Sequence, residues 1–230
     1  MVDSRRSFDE QLQEVRAEVV KLAVKGCGQI GAATQALLDA DLTLVEEIYA
    51  AHRDLEERVV GIEHRVYQLF ALQQPMASDL RAMLAVLRIL HEIELTGGLM
   101  RNVARATRRI YPREFPPRIR GIIERMGAQA SVQMHLSVDA FADGDERVAA
   151  ALPDMDDVMD DLQKELFRAI FAGFSGETVD EAALQLAVQL AFVGRDYERA
   201  ADHAVMIGRW VAFMVTGRLP GDEGRTPSLP

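Results

Sequence analysis

The chain repeats itself with an offset of 104 positions, as from Asp39 to Asp143, and this duplication constrains the fold more than any other feature. Charged and apolar residues recur in step and without a gap. The other matched pairs are Asp41 with Asp145, Ile48 with Leu152, Ile62 with Leu166, Val66 with Ile170, Phe70 with Phe174, Leu80 with Leu184, Ile89 with Val193, Glu94 with Glu198, Val103 with Ile207 and Arg105 with Arg209. A structural unit that is present twice is the simplest explanation.

Apolar residues recur at helical spacing along almost the whole chain and predict six helices. We expect these helices at residues 7–38, 42–72, 78–110, 116–141, 145–173 and 178–216. Each break is short and contains Asp, Gly or Pro, as connections between antiparallel neighbours in a bundle require. Only 6% of the residues are aromatic and alternating Val/Thr runs are nearly absent, which argues against a sheet.

We therefore predict an all-α fold of two tandem three-helix bundles, whose six antiparallel helices are related by internal duplication. The first repeat is expected to cover residues 1–112 and the second repeat residues 113–217. The Pro-rich connection at residues 111–117 is expected to be a stiff elbow, because proline fixes φ. Residues 218–230 are rich in Pro and Gly and are expected to form a disordered tail.

Composition and charge exclude several classes of function. The net charge of −10 opposes nucleic-acid binding. The N-terminus lacks the apolar stretch of a signal peptide and no run of about 18 apolar residues occurs, so we expect a cytoplasmic protein with at most peripheral membrane association. Cys27 is the only cysteine and is expected in the core. The sequence contains no Gly-rich phosphate loop, no G-x-S-x-G elbow and no Cys/His pair, so we predict that it is not an enzyme.

Two pairs of carboxylates suggest the most distinctive chemistry. Glu198 and Asp202 stand four residues apart in the sixth helix, so their side chains project from one face and repel each other. Asp156 and Asp160 have the same spacing in the fifth helix, within an acidic run. Each pair alone suits a solvated face with salt bridges to nearby arginines. Together, the two pairs suit an all-oxygen cage for a hard cation.

Two segments of the chain resemble hallmarks of the PhoU family. Residues 74–81, Gln-Pro-Met-Ala-Ser-Asp-Leu-Arg, match a Q-P-x-A-x-D-L-R helix start, although helix initiation alone also explains these residues. Residues 196–207 contain Glu-Arg-Ala-Ala-Asp-His, which matches an E-R-x-x-D-H pattern that recurs once per repeat. The resemblance spans about residues 7–217.

The resemblance implies a function and a set of partners. PhoU-like proteins are negative regulators of the phosphate-starvation response: adaptors that couple the ATPase subunit of the phosphate ABC transporter to a sensor histidine kinase and modulate phosphate uptake. Homodimerisation is expected by the same resemblance. Two alternatives remain open: a helical carboxylate metal-binding protein or metalloenzyme, and a transporter-specific chaperone without an effect on transcription.

The resemblance also implies a metal site. In the family, E/D-x-x-x-D pairs on adjacent helices bind metal clusters, which assigns a divalent or ferric ion (Fe, Mn, Mg, Ca or Zn) to the two carboxylate pairs of the second repeat. The first repeat departs from this pattern, since the counterparts of Asp156, Asp160 and Asp202 are His52, Glu56 and Gly98. We regard His52, Glu56 and Glu94 as a weaker candidate set and expect one site per chain.

Three further features are expected to be structural. His203 follows Asp202 and points about 100° away from it around the helix, so it is expected to be satisfied elsewhere and not to be a ligand. Pro153 is expected to kink the fifth helix. The apolar run at residues 210–215 is expected to be the end of a buried helix.

Overall fold

A computed structural model describes residues 2–72, 77–112, 114–174 and 180–220. Six helices make up almost all of this part of the chain, and it contains no strand. The helices are α1 (Val2–Asp39), α2 (Leu42–Leu72), α3 (Ala77–Ile110), α4 (Pro117–Asp143), α5 (Glu146–Gly173) and α6 (Glu181–Thr216). The predicted all-α fold is confirmed, and only α1 begins much earlier than expected.

Equivalent aspartates start the second helix of each repeat. The Asp41 carboxylate accepts hydrogen bonds from the backbone N–H groups of Thr43 and Leu44, at 2.8 and 3.0 Å. The Asp145 carboxylate accepts from the N–H groups of Arg147 and Val148, at 2.8 and 3.3 Å. Both side chains therefore satisfy backbone donors that a helix start leaves without partners.

The two repeats form two bundles that face each other. Helices α1, α2 and α3 pack together, and so do α4, α5 and α6. The bundles meet where α1 contacts α4 and where α3 contacts α6, so each contact joins equivalent helices of the two repeats. One hydrophobic core runs through both bundles. The architecture thus resembles a two-fold symmetric dimer within one chain.

Two glycines bring the helices that carry the candidate site residues close together. A Cβ atom on Gly97 of α3 would lie 2.4 Å from Leu55 Cδ2 of α2, and one on Gly194 of α6 would lie 2.5 Å from Leu166 Cδ2 of α5. Such contacts are too short for any side chain. Helix α3 is continuous through Gly97 and Gly98, which cost helix propensity, and Gly97 is the one of the two that allows a close approach.

The structure also describes part of the other segments that the sequence analysis singled out. Helix α5 continues through Pro153, which is exposed. In the run at 210–215, Val211 and Phe213 are buried and Val215 is exposed. Residues 73–76, 113, 175–179 and 221–230 lie outside the described residues, and with them most of the predicted tail and the first three residues of the 74–81 motif.

Candidate functional site

The structure places the four predicted carboxylates of the second repeat on α5 and α6, close enough for their charges to interact. Asp156 interacts electrostatically with Asp160 on its own helix and with Asp202 on α6. Glu198 interacts with Asp202 on its own helix and with Asp160 on α5. Each of the four carboxylates therefore has a negatively charged neighbour on the other helix. This concentration of charge disfavours the ionised forms of Asp156 and Glu198 unless a cation compensates it.

Asp156 is one of the two carboxyls of this cluster that burial and neighbouring charge disfavour in the ionised form. Burial, and then the charges of Asp202 and Asp160, raise its pKa above the usual range. Its Oδ1 atom is buried and has no hydrogen-bond partner. A buried acceptor without a partner costs free energy, and the nearby Gln133 amide offsets part of that cost.

Gln133 of α4 is a residue of this site that the sequence analysis missed. Its side chain is fully buried and neither amide atom has a hydrogen-bond partner. The amide lies beside Asp156 and favours the charged form of that carboxyl. The signal was present in the sequence, because Gln133 occupies a position in α4 that shares a helical face with the buried Ala130 and Met134.

The negative charge of Glu198 is compensated by an arginine of the same helix, Arg195. Burial, and then the charge of Asp202, raise its pKa, while Arg195 opposes that shift. The Arg195 Nη1 atom lies 2.6 Å from Oε1 and 2.5 Å from Oε2 of Glu198. This pair is the salt bridge that was the alternative to a metal ion. An ion that binds here competes with Arg195 for Glu198.

The donor set fits a hard cation in chemistry, although the side chains are not gathered around one point. Carboxylate and amide oxygens are the ligands that Mg²⁺, Mn²⁺, Ca²⁺ and ferric iron prefer. Among the described residues, no three His, Cys, Asp or Glu side chains are arranged as a ready metal site. Metal binding would therefore require side-chain rotation, chiefly of Glu198 away from Arg195.

The first repeat contains a different arrangement at the equivalent place. His52 is buried and its Nε2 atom lies 3.3 Å from Oε1 of Glu56. Burial lowers the pKa of His52, Glu56 opposes this shift, and the nearby Arg101 adds to it. Glu94 instead faces His91, with 4.0 Å between Oε2 and Nδ1. The positively charged guanidinium of Arg101 thus lies close to the weaker candidate set.

His203 and Cys27 are structural residues, as expected. The Nδ1 atom of His203 lies 2.6 Å from Oε2 of Glu92, a buried residue of α3. This contact between the two bundles was not predicted. Cys27 is buried in the core, and burial raises the pKa of its thiol to about 12. The thiol is therefore protonated at neutral pH and is not a nucleophile.

None of the described helices is both long enough and apolar enough to span a bilayer.

The two arginines in the last turn of α3 each contact a side chain of another helix. Arg108 pairs with Glu46, and its guanidinium lies 5.2 Å from the centroid of the Tyr49 ring. Arg109 lies 3.5 Å from the side-chain oxygen of Gln189.

The fold and the carboxylate cluster define a class: duplicated helical-bundle proteins with an acidic site between the last two helices. Family and sequence comparisons identify the family within this class. The PhoU domain model matches residues 19–107 and 123–211. The chain is 33% identical, over 95% of its length and 97% of the relative's, to the phosphate-specific transport system accessory protein PhoU homolog 1 of Mycobacterium leprae. This chain belongs to the PhoU family, as its sequence motifs predicted.

Other relatives and solved structures agree. The PhoU homolog 2 of Mycobacterium tuberculosis is 33% identical over 94% of this chain and 100% of the relative. The crystal structure of PhoU from Pseudomonas aeruginosa has a TM-score of 0.85 and 25% identity, and covers 92% of this chain and 100% of that one. The PhoU structure from Streptococcus pneumoniae, at 21% identity, shares the fold with a TM-score of 0.84 and covers 93% of this chain and 99% of that one.

Proposed function

We propose that this chain is an accessory protein of a phosphate transport system and a negative regulator of the phosphate-starvation response. The observation that carries the proposal is the match of both repeats to the PhoU domain, together with relatives that are named phosphate-specific transport system accessory proteins. In this role the chain couples the ATPase subunit of the transporter to a sensor histidine kinase and modulates phosphate uptake.

The proposed mode of action is that of a cytoplasmic, non-enzymatic adaptor that works as a homodimer. An adaptor needs exposed apolar surface that a protein partner covers. Leu184, Val188 and Phe192 stand at successive turns of α6 and are 58%, 43% and 59% exposed.

Deletion of the gene in its native host tests the regulatory role. A phosphate-regulated reporter is measured under phosphate excess, and we expect its expression to rise because the kinase loses its restraint. A plasmid copy of the gene should restore repression. Unchanged reporter expression together with reduced phosphate uptake would contradict the regulatory role and favour a transporter chaperone.

We further propose that Asp156, Asp160, Glu198 and Asp202 bind one divalent or ferric ion per chain. Support comes from the mutual repulsion of these carboxyls and from the buried Oδ1 of Asp156, which has no partner. The ion would neutralise the cluster and hold α5 against α6. Fixed positive charge beside His52 disfavours a second ion in the first repeat.

Thermal unfolding with Mn²⁺ as the probe tests this site. Because Mn²⁺ binds the folded state, it should raise the melting temperature of the unmodified chain. Asp202→Ala should abolish this response while slightly stabilising the metal-free protein, since it removes a repulsive charge. Glu56→Ala, in the first repeat, is the matched control and should retain the response. Equal responses of all three proteins would exclude the site between α5 and α6.

A further inference from the structure

A groove on the outer face of the first repeat has no part in the proposed function. It lies between α1 and α2 and has a volume of about 370 Å³. Its lining consists of Glu18, Lys21, Leu22, Lys25, Arg58, Gly61, Ile62 and Arg65. Half of these residues are cationic, in a chain whose net charge is −10. The groove is therefore a local positive site on an acidic protein.

Gly61 keeps the groove open. A Cβ atom on Gly61 would have no neighbour within 4 Å, so the space beside it is empty. The equivalent residue of the second repeat is Glu165, which pairs at 2.8 Å with Arg125, the equivalent of Lys21. That pair neutralises Arg125, the one cation among the equivalent positions of the second repeat. The cluster of four cations is therefore a feature of the first repeat.

The cations at the two ends of the groove are partly compensated, but the one at the centre is not. Arg65 pairs with Glu18 and Glu14 at one end. Arg58 pairs with Asp54 at 2.8 Å at the other end, where Lys25 also acts on Asp54. These are exposed pairs, which contribute little and exchange readily.

Lys21 is placed between these ends by helix geometry, one turn after Glu18 and one turn before Lys25. Within the described residues it has no ion-pair partner, and its side chain is exposed. An anion that enters the groove would therefore meet a free ammonium group first. The two arginines beside it can each turn a guanidinium toward the same anion, at the cost only of weak surface pairs.

The floor of the groove is apolar. Leu22 and Ile62 are 4% and 6% exposed, and they lie beside the open backbone of Gly61. The volume is within the range of small-molecule sites, which combine an apolar lining with a few polar groups that orient the ligand. The groove is larger than an inorganic phosphate, so a bare anion would use the cations and leave part of the groove unfilled.

We propose that the groove binds a small organic phosphate, with the phosphate against Lys21, Arg58 and Arg65 and an apolar or planar body on Leu22, Gly61 and Ile62. Cationic donors recognise phosphate oxygens by charge-assisted hydrogen bonds. The body of the ligand fills the rest of the groove, which is larger than a phosphate. A nucleoside monophosphate and the headgroup region of an acidic phospholipid share this chemistry.

Calorimetric titration of the full chain with AMP tests the proposal, with adenosine as the uncharged comparison. AMP should bind at one site per chain and adenosine about tenfold more weakly or worse, because it lacks the charge-assisted hydrogen bonds. Vesicles of phosphatidylcholine with a minor share of phosphatidic acid distinguish a lipid ligand from a free nucleotide. Vesicle binding that AMP displaces identifies a lipid, and AMP binding without vesicle binding identifies a free metabolite.

Gly61→Glu is the decisive variant, because it copies the residue of the second repeat into the open space. It should weaken AMP binding about tenfold or more, and Lys21→Ala should do likewise. Gly121→Glu makes the same change at another helical glycine with an open Cβ position and should bind as the unmodified chain does. Failure of AMP to bind, adenosine binding as tightly as AMP, or AMP binding that Gly61→Glu leaves unchanged would each overturn the proposal.

Discussion

Buried hydroxyl groups hold the two repeats together at the level of single residues. Thr34 of α1 donates to the backbone oxygen of Ile30 at 2.8 Å, and its Oγ1 lies 2.7 Å from the hydroxyl of Tyr197 of α6. Since the threonine proton is already used, Tyr197 is the donor in the second bond. Burial raises the pKa of Tyr197, so it keeps this proton throughout the physiological range.

Gly127 of α4 leaves the room that Thr34 occupies. A Cβ atom on Gly127 would lie 2.2 Å from Oγ1 and 2.7 Å from Cγ2 of Thr34. We expect Gly127→Ala to destabilise the protein by about 1 to 3 kcal/mol, because Thr34 must move and its bond to Tyr197 is lost. Urea unfolding followed by circular dichroism measures the change.

Gly121 in the same helix provides the control. Nothing lies within 4 Å of its Cβ position. Gly121→Ala should therefore stabilise the protein by about 0.5 to 1 kcal/mol through helix propensity alone. Equal effects of the two substitutions would show that Thr34 adapts without cost.

Asp196, the residue before Tyr197, predicts a pH dependence of stability. Burial is the main cause that raises its pKa from 3.8 to about 6, against the effects of Asn102 and Arg199. A raised carboxyl pKa means that the folded state holds the proton more tightly. This contribution to stability is fully present below about pH 3.8 and is lost as the pH rises through about 6.

Asp196→Asn should therefore be more stable than the unmodified chain at pH 8, by about 1 to 2 kcal/mol after allowance for solvent screening. The advantage should shrink as the pH falls from 8 to 4. Unfolding midpoints in urea across this range measure it. Asp161→Asn, at a carboxylate that is 79% exposed, is the control and should show no such trend. A constant difference for Asp196→Asn would contradict the assignment.

At the scale of single helices, the starts were predictable because their determinants are local. Asp41 and Asp145 lie next to the helices that they cap, and Pro117 occupies the first turn of α4. The spacing of Asp156 and Asp160, and of Glu198 and Asp202, likewise placed each pair on one helix face. The position of Gln133 beside Asp156, and of Arg101 near His52, depends on the rotation of a neighbouring helix, which no local pattern specifies.

Removal of the cap on α2 tests this local control. Asp41→Ala should destabilise the protein by about 1 kcal/mol, because the N–H groups of Thr43 and Leu44 lose their acceptor. Asp41→Asn retains an oxygen acceptor and should cost little. Thermal unfolding of the three proteins measures both effects. If the two variants lose the same stability, the charge and not the cap is responsible.

At the scale of the whole molecule, the seam between α3 and α6 contains a polar contact that sequence analysis did not find. Glu92 shares a helical face with the buried Ile89 and Ile93, which marks it as a buried charge. Its partner His203 is 111 positions away, and that distance explains the miss. The duplication makes it reasonable to expect that equivalent helices pair. It does not indicate which residues meet between α3 and α6.

Glu92→Ala should destabilise the protein by about 2 to 3 kcal/mol, because it leaves His203 buried with no partner on either ring nitrogen. Glu94→Ala on the same helix removes only a 4.0 Å contact with His91 and should cost less than about 1 kcal/mol. Chemical denaturation compares the two. A smaller loss for Glu92→Ala than for Glu94→Ala would mean that the seam does not depend on this pair.

The hydrogen bond between Tyr197 and Thr34 has a consequence for the residue that follows Tyr197 in the chain, Glu198. The tyrosine ring is fully enclosed and tied to the opposite repeat, so this turn of α6 cannot roll about its own axis. Glu198 must therefore exchange Arg195 for any other cation by torsion of its side chain alone. A change of charge beside Glu198 is therefore answered by its side-chain torsions, while the backbone of α6 stays in place.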